Sequence, residues 1–486
     1  MCGIAGYVNY SSEVSKHTLN SMMGEIVYRG PDSTGKFLSK SKRAALGIQR
    51  LSILDLKTGD QPISNEDGTV TVVFNGEIYN YKDLKKQLLK DGHKFKTNSD
   101  TEVLVHLYEK YGKKMPKFLN GMFAFAIWDE KKQSLFLARD RAGIKPLYYF
   151  ISGKQIVFGS EVKTILKHSS YKKEVDRDVL QLYLSFGYIP GEKSIFKNIY
   201  KLLPGHSLTF SKSGIQRLKF FDLPSNGNEG DISLDKLIEK SVSLQLQADV
   251  PVGVLLSGGL DSSLIAYYIG KVKKLKSFSI GFDEASFDES KHAYAVAKKI
   301  GTEHYNETFS SKDAIDIYKV ISGKLDEPLA DASILPTYKV CKLARKHVKV
   351  VLSGDGGDEL FGGYPTYQAH IIAEKVNFLP KILFNSAIAA FDLLPASNEN
   401  YSKKDLATIF LKGIKMPIEE RHLYIMKTFF LGENTVSKEA ELRQITKLLP
   451  KIKEMEKPYK VGQIIDFYTY LRDDFLIKTD RASMYN

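Results

Sequence analysis

The sequence predicts an α/β protein built from two units, an α+β unit of short strands and, after it, a doubly wound parallel-sheet unit. Three observations indicate this fold. The chain has 486 residues, which exceeds the roughly 100–200 residues of one average domain. Short strand patterns with only two or three helices occupy the first 215 residues. Strand and helix patterns alternate from residue 233 onward, which is typical of a parallel sheet with helices on its faces.

The composition is that of a globular enzyme, with 43% hydrophobic and 26% charged residues. No run of about 18 apolar residues predicts a membrane-spanning helix, and the start MCGIAGYVNY lacks the regions of a secretory signal. The two cysteines, Cys2 and Cys341, exclude a disulfide framework and a zinc site built from several cysteines, and they favour the cytoplasm. The ten histidines show no HxxxH-type spacing, so none is assigned to a metal.

The net charge of +13 is basic, but no run of five or six basic residues occurs. We interpret the charge as a lysine-rich solvated surface rather than a face that binds polyanions. An RNA-associated protein is therefore the least favoured function class, because neither a basic face nor an RNA-binding module is evident. We expect the protein to bind small molecules and to bind neither nucleic acid nor a membrane. The sequence leaves undecided whether the chain forms a homodimer.

The N-terminal unit contains both strand patterns and helix patterns. Alternation predicts a strand at Thr69–Phe74 and a hairpin formed by Phe123–Trp128 and Ser134–Ala138. Helical spacing predicts helices at Asp83–Asp91 and Thr101–Tyr111. The unit is expected to span residues 1–215.

A linker is predicted at residues 216–232, because PSNGNEGD (Pro224–Asp231) is polar and rich in Gly and Asn. Strands are then predicted at Val250–Leu256, Ser277–Gly281 and Val348–Leu352. The predicted helices are Leu234–Gln247, Ser263–Lys273, Ser290–Ile300 and Ile334–His347, and the pattern is helical throughout after Tyr364.

Cys2 is the first candidate for chemistry. Removal of Met1 would expose a thiol together with a free α-amine, so one residue could supply a nucleophile and its base. Asn75 and the flexible Gly76 could direct an amide and a backbone N–H at one point, which would stabilise an oxyanion. Arg50 could pair with a carboxylate and Asp100 could accept from an ammonium group. A chance cysteine, an Asn-Gly turn and a surface arginine remain the alternatives.

A Gly/Ser loop after the predicted strand Val250–Leu256 points to a phosphate site. In SGGLDSS, Ser257, Gly258 and Gly259 allow the backbone to approach a phosphate, and the next helix offers free N–H groups. Asp261 would bring a carboxylate to the phosphate oxygens, which requires a hard cation such as Mg²⁺ between them. No GK[ST] follows, so this is not a Walker loop, and an ordinary helix N-terminus is the alternative.

A second loop has the same order of sequence features. VKVVLSGDGGDELFGGY (Val348–Tyr364) again has a strand, Ser-Gly and then acids, with Asp355 and Asp358 close together. The carboxyl ends of strands in one parallel sheet open into one crevice. Both loops, with Asp261 and Asp358, therefore predict a Mg²⁺–polyphosphate site, and the strand SFSIGF could offer backbone groups to an adenine.

Five motifs in the first half resemble a known domain. MCGIAGY, YRGPD, RLSIL, NGEIYN and SDTE, in this order, look like a class II glutamine amidotransferase domain, which is an N-terminal-nucleophile hydrolase with an αββα sandwich. The resemblance implies that Cys2 is the nucleophile and that Asn75 and Gly76 form the oxyanion hole. The residues that it implies for binding glutamine are Arg50, Glu77 and Asp100.

The second half resembles the ATP-pyrophosphatase superfamily through SGGLDSS. Combined with LSGDGGDELFGGY and the amidotransferase in front, it is similar to the glutamine-hydrolysing asparagine synthetases, with the synthetase domain at 233–486 and with ATP and Mg²⁺ as cofactors. The residues that the resemblance places at ATP and pyrophosphate are Leu255, Ser257, Gly258, Gly259, Asp261, Ser262, Ile280, Ser353, Gly354 and Asp355, and those at Mg²⁺ are Asp261 and Asp358.

The resemblance implies a reaction in three parts. Glutamine is hydrolysed to glutamate and ammonia, ATP adenylates a carboxylate with release of pyrophosphate, and ammonia then forms the amide with release of AMP. Aspartate is the acid expected first, giving asparagine. The alternative is the same chemistry on another acid, such as a uronic acid of a surface polysaccharide.

The family pattern continues beyond DRASMYN, where this chain stops, so we expect the C-terminal part of the synthetase domain to be missing. LRDDFLIKTDRASM is a further segment that resembles the family. Within it, Asp473 and Asp474 are interpreted as a helix cap or a solvated face.

Overall fold

The computed structural model describes residues 2–223, 232–393, 403–427, 452–453, 455 and 457–486. The N-terminal strands are β1 (Gly3–Asn9), β2 (Ser33–Leu38), β3 (Ala44–Arg50), β4 (Ile63–Ser64), β5 (Val70–Ile78), β6 (Gly121–Asp129), β7 (Ser134–Arg139), β8 (Tyr148–Ser152), β9 (Gln155–Gly159), β10 (Ile199–Lys201), β11 (His206–Ser211) and β12 (Gly214–Lys219). The helices of this half are α1 (Lys16–Gly24), α2 (Tyr81–Lys90), α3 (Glu102–Tyr111), α4 (Val162–Leu166) and α5 (Arg177–Phe186).

These strands form two six-stranded antiparallel sheets, ordered β10-β8-β9-β1-β3-β2 and β12-β11-β7-β6-β5-β4. The sheets pack face to face, because one buried cluster joins Ile4 and Leu46 of the first sheet to Val73 and Leu137 of the second. Two further clusters cover the outer faces, one with α2 and α3 and the other with α1, α4 and α5. The layers are therefore αββα, which confirms the expected sandwich.

The second half contains a parallel sheet. Its strands are β13 (Val252–Leu255), β14 (Lys276–Phe282), β15 (Glu303–Phe309) and β16 (Val350–Leu352), in the order β15-β14-β13-β16. Its helices are α6 (Leu234–Gln245), α7 (Leu260–Val272), α8 (Ser290–Ile300), α9 (Ser311–Ser322), α10 (Ile334–Arg345), α11 (Gly357–Phe361), α12 (Pro365–Val376), α13 (Lys381–Asp392), α14 (Lys403–Gly413), α15 (Ile418–Ile425), α16 (Pro458–Tyr468) and α17 (Leu476–Met484).

Both faces of this sheet are covered, as a doubly wound fold requires. Helices α6, α7 and α8 pack on one face against Val252 and Val254. Helix α10 packs on the other face, where Leu343 and Ala344 contact Phe278. Among the described helices, none is long and apolar enough to span a bilayer.

The structure differs from the sequence-based expectations at β15, at β12 and, as described in the next paragraph, at Asp473 and Asp474. Strand β15 is absent from them because EHYNETF has few apolar residues; it forms the sheet edge, where one side needs no partner. Strand β12 includes the first four residues of the predicted linker 216–232, and Pro224–Asp231 lies outside the described residues.

The interpretation of Asp473 and Asp474 as a cap or solvated face is wrong. Both carboxylates are buried in a π-helical turn, Leu471–Phe475, which precedes α17. Asp473 accepts hydrogen bonds from Lys201 Nζ (3.1 Å) and the Gly191 amide (2.8 Å), so it ties this turn to the N-terminal half. Burial and the charge of Asp331 raise the pKa of Asp474 to about 8.

A buried ionic network joins the two halves. Arg29 donates to both carboxylate oxygens of Asp480, at 2.8 and 2.9 Å, and to Glu161 at 2.7 Å. Lys145 Nζ lies 3.2 Å from Asp480, and Arg481 lies 2.8 Å from Glu161. Burial opposes ionisation of Glu161, but the neighbouring Arg481 and Arg29 outweigh it and lower its pKa to about 2. The network therefore stays charged, and it depends on residues from both halves.

We predict that Asp480→Asn destabilises the protein strongly. The variant leaves Arg29 and Lys145 buried without their shared counter-charge, and loss of one partner from a buried pair costs about 3–5 kcal/mol. The measurement is the shift of the urea midpoint. Glu13→Gln, which removes an exposed pair with Lys42, is the matched control and should leave the midpoint unchanged. Equal midpoints for the two variants would contradict the assigned role of the network.

Candidate active sites

Cys2 lies at the start of β1, beside residues from three other segments. Its backbone nitrogen donates to Asn75 Oδ1 at 3.0 Å, and its thiol lies 3.9 Å from the Leu51 carbonyl. Arg29 Nε donates to the Cys2 carbonyl at 3.1 Å. Burial raises the pKa of the Cys2 thiol, opposed by the positive chain terminus, the Leu51 contact and Arg50. The structure thus brings Cys2 and Asn75 into direct contact.

Asn75 and Gly76 lie on β5, opposite Ala124 and Phe123 of β6. The Asn75 side chain is fully buried. Its Nδ2 has no hydrogen-bond partner among the described residues. A buried amide donor left without a partner is costly, so this group is available to an oxygen that arrives beside Cys2.

Glu77 and Asp100 form a buried acidic pair close to Cys2. Asp100 Oδ2 accepts from the Ile78 amide at 2.8 Å, whereas Glu77 Oε2 has no partner among the described residues. Burial, followed by the charge of Asp100, raises the pKa of Glu77 well above its usual value. Burial likewise raises the pKa of Asp100, to about 6. Two buried carboxylates in this state are suited to receive a cation.

Arg50 ends β3 and is buried. Its guanidinium donates to Asp60 at 2.7 Å and to the carbonyls of Leu54 and Asp55 at 3.0 and 2.8 Å. These bonds fix the segment after β3, which includes Leu51. Arg50 is also near enough to lower the pKa of both Cys2 and Glu77. The predicted glutamine-site residues therefore meet in one place.

The first Gly/Ser loop connects β13 to α7. Ser257 Oγ lies 3.0 Å from Ser262 Oγ and accepts from the Gly259 amide at 3.2 Å, which closes the loop on itself. Gly258 has a φ of +89°, and a Cβ there would lie 2.5 Å from the Ala293 nitrogen of α8. Only glycine fits this position, because the loop passes directly over the neighbouring helix.

The second loop, between β16 and α11, meets the first at Asp261. A Cβ on Gly354 would lie 2.8 Å from the Asp261 Cβ, and one on Gly357 would lie 2.5 Å from its carboxylate. Burial and the charge of Asp358 raise the pKa of Asp261, and burial raises that of Asp358. Two partly buried carboxylates that repel each other fit a hard divalent cation, so these residues suit Mg²⁺.

A cavity of about 270 Å³ opens beside the first loop. Leu255, Ser257 and Ile280 line it, together with Lys478 of α17. Lys478 Nζ also donates to Ser333 Oγ at 3.0 Å, and its positive charge lies near the Asp355 carboxylate. Lys478 has no assignment from the sequence, although it lies within LRDDFLIKTDRASM. Its position beside the loop follows only from the packing of α17.

A second cavity, of about 320 Å³, lies between the two sites. At one end it is lined by Leu51 and Glu77, and at the other by Leu255, Ser353 and Asp355. The buried Cys341 side chain lies in its wall. The structure thus brings together Cys2, Asn75, Glu77 and Asp100 in one site, Asp261 and Asp358 in another, and a shared cavity between them.

Comparisons with known proteins identify the family of each half. Residues 1–221 match the family model of a glutamine amidotransferase domain, and residues 233–486 match the asparagine synthase model. The whole chain is 34% identical to asparagine synthetase [glutamine-hydrolyzing] 1 of Bacillus subtilis, over 78% of that protein's length. It is 36% identical to the putative asparagine synthetase [glutamine-hydrolyzing] 2 of Methanocaldococcus jannaschii, over all of this chain and 98% of that protein.

Among solved structures, an allosteric regulatory enzyme of purine biosynthesis matches 63% of this chain and 80% of its own, with 16% identity and a TM-score of 0.37, which is too distant to support an argument. The two family models and the relatives that match the whole chain agree with each other. The chain therefore belongs to the glutamine-hydrolysing asparagine synthetase family.

Proposed function

We propose that this protein is a glutamine- and ATP-dependent amide synthetase that converts aspartate to asparagine. The cavity of about 320 Å³ between the two sites is the observation that carries the proposal. Ammonia in bulk water near pH 7 is mostly protonated and no longer a nucleophile. A route that limits contact with bulk water is therefore needed if one site makes ammonia and the other consumes it, and residues of both sites line the cavity.

In the first reaction, Cys2 is the nucleophile once Met1 has been removed. The thiol attacks the side-chain amide of glutamine, and the free α-amine of Cys2 takes the proton. Asn75 Nδ2, with no partner among the described residues, and the Gly76 amide stabilise the oxyanion. Ammonia leaves, and water then hydrolyses the glutamyl thioester to give glutamate.

The ends of glutamine are held by charge. Asp100, together with Glu77, accepts the α-ammonium group, which supplies the positive charge that the buried acidic pair lacks. Arg50 binds the α-carboxylate. It already forms an ion pair with Asp60, whose side chain is exposed, so glutamine would replace or share that contact.

In the second reaction, ATP binds at the two Gly loops. Ser257, Gly259 and Ser262 hold the β- and γ-phosphates, Leu255 and Ile280 contact the adenosine, and Asp261 and Asp358 hold Mg²⁺, which neutralises the phosphate charge. Ser353, Gly354 and Asp355 would line the joint site of ATP and the acid, and the positive charge of Lys478 lies near Asp355. The acid carboxylate attacks the α-phosphate and pyrophosphate leaves. Ammonia from the cavity then attacks the acyl-adenylate and AMP leaves.

The acid is tested directly. Purified protein receives ATP, Mg²⁺, glutamine and one acid at a time, and AMP is measured together with the amide product. Aspartate should give AMP and asparagine in equal amounts. A uronic acid is the comparison substrate, and AMP formation with that acid but not with aspartate would replace the proposed substrate. Absence of AMP with every acid, alongside normal glutamine hydrolysis, would contradict the synthetase reaction of this chain.

Cys2→Ala is expected to abolish glutamine hydrolysis, because the thiol forms the intermediate. Ammonium chloride should still support amide formation in this variant, since the ATP site does not use Cys2. Cys341→Ala, which removes the other buried thiol, is the matched control and should keep glutamine hydrolysis. Normal hydrolysis by Cys2→Ala, or by a chain that mass spectrometry shows to retain Met1, would contradict the nucleophile assignment.

The KM for glutamine is expected to rise as the pH falls below about 6. Asp100 has a raised pKa of about 6, so its ionised form, which binds the ammonium group, is lost below that pH. The KM should increase by about tenfold for each pH unit below the pKa. Asp100→Asn should show a high KM at about pH 5 and at about pH 7, because only Glu77 of the acidic pair remains to hold the ammonium group. A native KM that is constant over that range would show that Asp100 does not bind the ammonium group.

A further inference from the structure

Two histidines and two glutamates converge outside both sites already described. Glu66 lies in the turn between β4 and β5, His93 follows α2, and His106 and Glu109 lie on one face of α3. Their ligand atoms, one from each residue, all lie within 4.8 Å of one another. We call these four residues the His₂Glu₂ cluster. Because three separate segments supply it, the sequence contains no short histidine motif that would indicate it.

The distances within the His₂Glu₂ cluster match the spacing around a tetrahedral ion. His93 Nδ1 lies 3.5 Å from Glu66 Oε1 and 3.7 Å from Glu109 Oε2. His106 Nδ1 lies 3.4 Å from Glu66 Oε2 and 3.2 Å from Glu109 Oε2. Bonds of about 2.0–2.2 Å to a tetrahedral zinc ion place neighbouring ligand atoms about 3.3–3.6 Å apart. Of these four contacts, the one between His106 Nδ1 and Glu109 Oε2 is a hydrogen bond, and the other three are longer, at 3.4–3.7 Å.

Outer contacts hold the ligands in this arrangement. The Lys94 amide donates to Glu66 Oε1 at 2.9 Å, and Asn65 Nδ2 donates to Glu109 Oε1 at 2.7 Å. His106 Nε2 has no hydrogen-bond partner among the described residues, and the Glu102 carboxylate lies 3.8 Å from it. A carboxylate next to the second nitrogen of a metal-bound histidine is the usual outer-shell arrangement, since it favours the tautomer whose other nitrogen is free to bind the metal.

We propose that the His₂Glu₂ cluster binds one Zn²⁺ ion, or a divalent ion of the same class, through His93 Nδ1, His106 Nδ1 and one oxygen each from Glu66 and Glu109. Two neutral imidazoles and two carboxylates balance the charge of a divalent cation. Four protein ligands leave no open position, so the site is structural rather than catalytic. It connects α3, the segment after α2 and the turn before β5, close to the segment that contains Asp100. The proposal is independent of the proposed amide synthesis.

The test measures zinc in the full-length protein. All proteins carry Cys2→Ala, so that the thiol and amine cannot chelate the ion, and excess Mg²⁺ occupies the acidic residues of the ATP site. After incubation with zinc sulfate and dialysis, the parent protein should retain one equivalent of zinc, measured by elemental analysis. Zinc should also raise its thermal unfolding midpoint, because an ion that binds only the folded state stabilises it.

His93→Gln and Glu66→Gln are the informative variants, because both side chains are partly exposed and their replacement leaves no cavity in the core. Each should lose retained zinc and the zinc-dependent rise of the midpoint. His17→Gln, in the exposed first turn of α1, is the matched control and should behave like the parent. Cobalt in place of zinc should give the intense visible absorption of a tetrahedral complex in the parent and in His17→Gln, but not in His93→Gln or Glu66→Gln. No retained zinc in the parent, or equal retention in His93→Gln and Glu66→Gln, would overturn the proposal.

Discussion

The joint between the two halves of this protein depends on the buried guanidinium of Arg29. Arg29 binds Asp480 and Glu161 with charged hydrogen bonds and at the same time donates to the Cys2 carbonyl. Moving such charges out of water is expensive, and the cost is offset only when every partner is in place. Because Asp480 and Arg481 come from the second half, the network forms only when α17 is docked. The position of Cys2 and the joint between the two halves therefore depend on the same residue.

The sequence predicts most of this fold because its signals are local. Strand β5 and the β6–β7 hairpin are buried on both faces, so their apolar runs are plain in the sequence. The two Gly loops are equally local, since a strand, a tight turn and a helix follow one another within about fifteen residues. Asp261 and Asp358, which the sequence predicts at one Mg²⁺ site, lie close together because both loops follow strands at the same edge of one parallel sheet.

The remaining features depend on contacts between distant segments. Asp473 and Asp474 have the composition of a surface turn, and only the docking of the π-helical turn against Lys201 and Gly191 buries them. Lys478 lies beside the first Gly/Ser loop because α17 packs on α10, which no spacing in the sequence indicates. The His₂Glu₂ cluster needs three segments of the glutaminase half to be folded before its ligands meet. In each case the residue types show which groups the chain can offer. Only the folded structure shows which residues lie beside them.

The cavity between the two sites affects how ammonia would be used in the proposed reaction. Ammonia has a single heavy atom, and even the best small ligands gain only about 1.5 kcal/mol for each such atom, so no pocket could hold it tightly. One molecule confined to about 320 Å³ corresponds to a local concentration of about 5 M. In the proposed reaction, this local concentration would replace affinity, because the acyl-adenylate would meet its nitrogen donor by mass action.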